Sequence, residues 1–125
     1  MERTAITASD GATPRGPYSP AIKHGNLLYV SGQLGIDPAA GEKVRGGFQA
    51  EVHQALKNLR TLVEAAGGSM ASVLKVTVFL VDIGDFPAMN EIYTTYFPEP
   101  RPARSTLEAG LLGDYRIEID AIAAL

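Results

Sequence analysis

Residues 73–81 constrain this chain more than any other segment. They read Val-Leu-Lys-Val-Thr-Val-Phe-Leu-Val, apolar or β-branched at every position but Lys75. Strict alternation marks a strand buried on one face. A run that is apolar on both faces, apart from Lys75 and Thr77, marks a strand covered on both sides within a sheet. Little is available to cover it, because only two segments have a helical period. The first begins near Gly47 and ends at Ala66, with Phe48, Val52, Leu56, Leu59, Val63 and Ala66 spaced by three and four. Glu51, Lys57, Arg60 and Glu64 fall mostly between them, and Gly67-Gly68 supplies the stop. The second starts after Asp85 as N-cap, tolerates Pro87 in its first turn, and ends before Pro98, Pro100 and Pro102. Its buried stripe is Phe86, Met89, Ile92 or Tyr93, and Tyr96 or Phe97.

Further strands are expected around these elements. Thr4–Ala8 is a short one, followed by the turn-rich segment Gly11–Pro20. Ala21–His24 and Leu27–Gly32 flank Gly25-Asn26, a two-residue hairpin connection. Gln33–Asp37 continues extended before a turn over Pro38–Gly41. Residues 103–108 and 116–125 alternate as strands and close the chain as a strand pair. The sum is an α+β fold spanning residues 1–125 as one domain, a single sheet with both helices on one face. Its other face needs a cover that the chain does not supply, and a second copy of the same face predicts a homo-oligomer.

Composition excludes several classes of function. The net charge is −3, and no Lys/Arg run offers a track for nucleic acid or an anionic membrane. There is no cysteine, so disulfides, thiolate metal sites and a Cys nucleophile are ruled out; this is compatible with a cytoplasmic location. No signal peptide or membrane-length apolar run is visible. The two histidines, His24 and His53, have no metal-ligand partner at helical spacing and are expected at the surface. No phosphate-binding glycine loop of a recognised type occurs.

The chemistry concentrates near the C-terminus. Arg104, Thr106 and Glu108 share one face of the first closing strand. Ile117, Ile119 and Ala121 lie opposite to Arg116, Glu118 and Asp120 on the second. A guanidinium in an apolar setting holds a planar carboxylate with two parallel hydrogen bonds, and a nearby carboxylate positions or activates water. Arg104 and Glu118 brought together point to an enzyme acting on a small carboxylic acid. A structural ion pair of Arg104 with Glu108, Glu118 or Asp120, or of Glu118 with Arg116, would produce the same pattern.

Four motifs, in order and suitably spaced, resemble the Rid or YjgF-like family of reactive-intermediate (enamine/imine) deaminases, formerly called endoribonuclease L-PSP or translation inhibitors. They are Gly16-Pro-Tyr-Ser-Pro20; Val30-Ser-Gly-Gln33; Val76–Asp82 with Asp85-Phe86 and Asn90; and Pro102-Ala-Arg-Ser105 with Ile117-Glu-Ile119. The resemblance implies a chorismate-mutase-like fold assembled as a homotrimer, with ligand sites in clefts between subunits. It implies hydrolysis of 2-aminoacrylate, 2-iminobutanoate and similar acids to 2-oxo acids and ammonia, without metal or organic cofactor. Arg104 would bind the substrate carboxylate and Glu118 would orient or deprotonate the attacking water. Tyr18, Ser31 and Asn90 would line the cleft, with backbone groups near Gly32 and Thr106 completing it. Thr106 stands where some members of the family carry cysteine. The Gly110–Tyr115 connection is about one residue shorter than the usual form and lacks its common Leu-Pro, which bears on the cleft rim and on which side chains fit. A non-catalytic trimer that binds small carboxylates is the alternative. An endoribonuclease or translation inhibitor, as the older names have it, is disfavoured by the charge and the lack of paired catalytic histidines.

Overall fold

The computed structural model describes residues 2–125. Strands β1 (Arg3–Ile6), β2 (Ala21–His24) and β3 (Leu27–Leu34) are followed by a two-stranded excursion, β4 (Ile36–Asp37) and β5 (Glu42–Lys43). Helix α1 (Phe48–Ala65), strand β6 (Val73–Leu80), helix α2 (Phe86–Tyr93) and strands β7 (Ala103–Glu108) and β8 (Ile117–Ala124) complete the chain. The six-stranded sheet has the order β1-β2-β3-β8-β6-β7, antiparallel throughout except for the parallel pair β6–β7. The expected α+β architecture is therefore present, with both helices on one face of a mixed sheet. None of the helices is long and apolar enough to cross a membrane among the described residues.

Helix α1 ends as its sequence dictates. Gly67 takes φ +97°, Gly67 N–H donates to the Glu64 carbonyl, and Gly68 N–H donates to the Val63 carbonyl, which is the Schellman arrangement that only glycine enters without strain. Its apolar stripe (Val52, Ala55, Leu56, Leu59 and Val63) is fully buried against Leu28, Val76, Val78, Ile117 and Ile119 of the sheet. Expected Thr4–Ala8 shortens to Arg3–Ile6, and the Gln33–Asp37 extension breaks after Leu34 so that β4 can turn back onto β5.

Three expectations are corrected. Asp85 precedes α2 but makes no capping hydrogen bond; its carboxylate instead takes both oxygens to the Arg116 guanidinium, at 3.0 and 2.8 Å. Asp82 performs the local capping, accepting from Gly84 N–H at 2.8 Å. Glu51, counted among the polar positions of α1, is only 2% exposed. Its Oε2 accepts the N–H groups of Arg116 and Ile117, at 2.6 and 3.2 Å, where the chain enters β8. Asn58, on the same side of α1, donates to the carbonyls of Leu34 and Ile36 at 3.0 and 2.8 Å, holding the break between β3 and β4. Glu51, Asn58 and Leu62 thus form a second buried row beside the apolar one, its two polar members bonded to backbone where β3 and β4 end or begin and where β8 starts.

The third correction concerns the closing strands. They are not neighbours, because β6 lies between them. Arg104 pairs with Val76 of β6, whereas Glu118 pairs with Phe79. Positions 76 and 79 differ in parity, so Arg104 points to the helix-covered face and Glu118 to the open one. One protomer does not bring the two together.

Removing the Glu51 carboxylate leaves two N–H donors at the start of β8, one buried and one part-buried, without their acceptor. Glu51→Ala is expected to lower unfolding free energy by about 2–4 kcal/mol in urea titration. A change below about 0.5 kcal/mol would show that the helix-to-strand tie is dispensable.

Candidate functional site

Arg104 sits on the edge strand β7, where helix α2 builds a wall for its guanidinium. Nη1 donates to Asn90 Oδ1 at 2.8 Å. The guanidinium carbon lies 4.7 Å from the Tyr93 ring centroid and 5.4 Å from that of Phe86. Phe86, Asn90 and Tyr93 are spaced by four and three, so one face of a two-turn helix supplies all three contacts. Thr106, two residues along β7, shares this face and buries its hydroxyl without a partner; the Tyr93 hydroxyl is likewise buried and unpaired. Burial raises the Tyr93 pKa, and the neighbouring positive charge of Arg104 offsets part of that rise. Among the described residues no carboxylate reaches Arg104, so none of the structural ion pairs that could explain it is formed. This cation is stacked, aimed and unneutralised.

Glu118 belongs to a different cavity, of about 440 Å³, on the other side of the sheet. Its walls include Arg15, Gly16, Tyr18, Ser31, Gly32, Leu112 and Tyr115. A bulge creates it. Val30 pairs with Ala121 and Gln33 with Ile119, so Ser31 and Gly32 together oppose the single residue Asp120. The bulge turns the Ser31 hydroxyl to the Ser19 carbonyl at 2.7 Å, and Ser31 N–H donates to the Pro20 carbonyl, clamping the 16–20 turn over the cavity. Gly32 leaves space for the Glu118 carboxyl: a Cβ there would meet Glu118 Cδ at 2.7 Å. Tyr18 is 48% exposed at the mouth, and Leu112, in the short 110–115 connection, forms the outer rim at 85% exposure.

Glu118 makes no hydrogen bond or ion pair to a described side chain, and Arg116 is engaged with Asp85. Burial pushes its pKa above the usual carboxylate range, and the Asp120 charge on the same face adds to the shift. Such a carboxylate is a better proton acceptor than an ordinary one wherever it is ionised.

The residues singled out in the sequence thus fall into two groups. Arg104, Asn90 and Thr106 stand on the helix side of β7; Tyr18, Ser31, Gly32 and Glu118 line the cavity beyond β3 and β8. Tyr93, expected in the buried stripe of α2, is buried but also braces Arg104. Phe86 and Arg15 were missed as site components; the spacing of Phe86, Asn90 and Tyr93 on one helix face was the available signal. His53 is half-buried and bonds Tyr96 through Nδ1 at 2.8 Å, and His24 is exposed. Among the described residues no cluster of three or more His, Asp or Glu groups could hold a metal ion.

Carboxyl-carbon NMR titration of Glu118 is expected to give a midpoint above that of an ordinary glutamate. Asp120→Asn should lower it part of the way, since burial remains. A midpoint at or below the ordinary range would contradict the electrostatic account.

Residues 9–125 match the family described as Endoribonuclease L-PSP. A RutC family protein of Pyrococcus horikoshii is 47% identical over 122 residues, covering 97% of both chains. The 2-iminobutanoate/2-iminopropanoate deaminase of Rattus norvegicus is also 47% identical, covering 97% of this chain and 89% of its own. Among solved structures, RidA from an Antarctic Psychrobacter superposes with a TM-score of 0.94 at 38% identity, covering 98% of this chain and 99% of the other. Matching motifs, matching fold and end-to-end similarity agree: this chain is a member of the Rid family, the Endoribonuclease L-PSP family of the older nomenclature.

Proposed function

We propose that this protein is a homotrimeric, cofactor-independent deaminase that hydrolyses 2-imino and 2-enamino acids such as 2-iminobutanoate and 2-aminoacrylate to 2-oxo acids and ammonia. The observation that carries this reading is a complementary pair of incomplete sites. One has an unneutralised, aromatic-braced guanidinium without a base. The other has an unpaired carboxylate of raised pKa in a cavity where Arg15, at the turn, is the only lining cation among the described residues. Edge strand β7 and the open sheet face, with Tyr29 and Leu107 exposed on it, supply surfaces through which a second copy can join the two. The deaminase name borne by the rat relative supports the same chemistry.

In the assembled cleft Arg104 of one copy holds the substrate carboxylate through two parallel N–H donors. Asn90, Phe86 and Tyr93 fix its orientation. Glu118 of the adjacent copy accepts a proton from water as the oxygen attacks the protonated imine carbon. The resulting carbinolamine carries nitrogen as its leaving group. Protonation of that nitrogen, using the proton held by Glu118, breaks the C–N bond and releases ammonia, and loss of the hydroxyl proton leaves the 2-oxo acid. Because a protonated imine is already electrophilic, positioning and proton transfer suffice, worth roughly 10²–10⁴-fold. Ser31 is committed to the Ser19 carbonyl and is not a nucleophile in this scheme.

Release of 2-oxobutanoate from freshly generated 2-iminobutanoate tests the proposal. Arg104→Ala should raise KM roughly 10- to 100-fold, and Glu118→Ala should remove most of the acceleration. Acceleration absent in the wild type would leave the carboxylate-binding alternative.

Co-assembly tests the shared cleft. When Arg104→Ala and Glu118→Ala chains are unfolded together and refolded in equal amounts, about a quarter of the clefts join two intact contributions, so about a quarter of wild-type activity should return. No recovery from properly mixed oligomers would place both groups in one chain's site.

A further inference from the structure

The Glu118 cavity holds a cation that the proposed reaction does not use. Arg15 precedes the Gly16-Pro-Tyr turn, and its guanidinium is fixed from two sides. Nη1 donates to the Tyr115 hydroxyl at 3.1 Å, Nη2 donates to the Gly41 carbonyl, and the group lies 5.9 Å from the Tyr115 ring centroid. Every one of these partners is uncharged. Among the described residues no carboxylate lies within ion-pair distance of it, Glu118 of the same cavity included. Nε–H and one proton on each terminal nitrogen remain free, which is the fork that a planar carboxylate accepts. The cavity volume of about 440 Å³ is far more than a four-carbon acid fills, and lies within the range of pockets that enclose considerably larger ligands.

We infer that Arg15 forms a subsite for a second carboxylate on the substrate's side chain, so that 2-imino dicarboxylic acids are preferred over the purely aliphatic 2-imino acids. The inference rests on the deaminase reading. In it Arg104 of the adjacent copy takes the carboxylate next to the imine carbon, and the side chain extends past Glu118 toward the turn. Tyr115 serves the subsite twice, through its hydroxyl and its ring, and so holds Arg15 at the wall. One guanidinium supplies a single positive charge and, among the described residues, no second cation lines the cavity, so a monoanionic carboxylate is matched more closely than a phosphate dianion. The hydrolysis itself is unchanged, because the second carboxylate is bound and not transformed.

The test compares iminosuccinate, generated from aspartate by an oxidase, with 2-iminobutanoate, generated from 2-aminobutyrate. Calorimetric binding of the products oxaloacetate and 2-oxobutanoate is measured alongside. Wild type should turn over the dicarboxylic imine with the higher kcat/KM. Arg15→Leu should lower the ratio of the two kcat/KM values roughly 10- to 100-fold, and Arg15→Lys should restore part of it. A ratio unmoved by Arg15→Leu, or equal losses on both substrates, would overturn the inference while leaving the deaminase reading in place. If neither imine is hydrolysed, that reading falls. The subsite is then decided by binding: oxaloacetate held more tightly than 2-oxobutanoate, in an Arg15-dependent way, upholds it, and equal affinities end it.

Discussion

Everything that matters about the site depends on one strand lying between two others. Because β6 separates β7 from β8, Arg104 and Glu118 are read off opposite parities of the same strand, through Val76 and Phe79. The sheet then does what pleated sheets must, and sends them to opposite faces. The parallel pairing of β6 with β7 follows from the helix between them, since a parallel neighbour requires a crossover and α2 is that crossover. The same helix that fixes the topology also carries Phe86, Asn90 and Tyr93, the three groups that hold the guanidinium. Fold and site are consequences of one connection.

Local elements were legible in the sequence because each had a local cause. The α1 stripe, the Gly67-Gly68 stop, the Gly25-Asn26 hairpin and the two-sided strand at 73–80 all follow from period or backbone freedom. Strand order was not legible. Residues 103–108 and 116–125, joined by a short glycine-containing connection, read equally well as neighbours, and nothing in their alternation says that another strand will come between them. Glu51 was misread for a related reason. A carboxylate in a helix is solvent-facing unless backbone donors await it, and those donors, Arg116 and Ile117, lie about 65 residues away in the chain. Arg104 and Asn90 were both singled out, yet their contact depends on how α2 settles over β7, a tertiary fact.

Glycine positions carry the part of the design that is most easily overlooked. The bulge at Ser31-Gly32 could be occupied by many sequences as far as pairing goes, but a Cβ at position 32 would displace the Glu118 carboxyl from where it stands. Gly35 does the same for Glu51, whose Cγ would lie 2.5 Å from a Cβ there. Two buried or half-buried carboxylates, one structural and one at the candidate site, are each admitted by a glycine on β3 or just beyond it.

Separation of the two groups within a protomer also has an electrostatic consequence. Had Arg104 and Glu118 faced each other in one chain, they would neutralise each other, and the carboxylate's pKa would fall below the ordinary range. Instead Glu118 is raised, chiefly by burial and then by Asp120, and Arg104 is held by an amide and two aromatic faces, none of which cancels its charge. Under the proposed function this leaves the cation free to take a carboxylate and the carboxylate group ready to take a proton. In the cleft proposed between copies, the substrate carboxylate is the group that satisfies the guanidinium. A cleft built from two chains, as proposed, is one way for a fold to hold a cation and a carboxylate apart within each protomer and still bring both to one substrate.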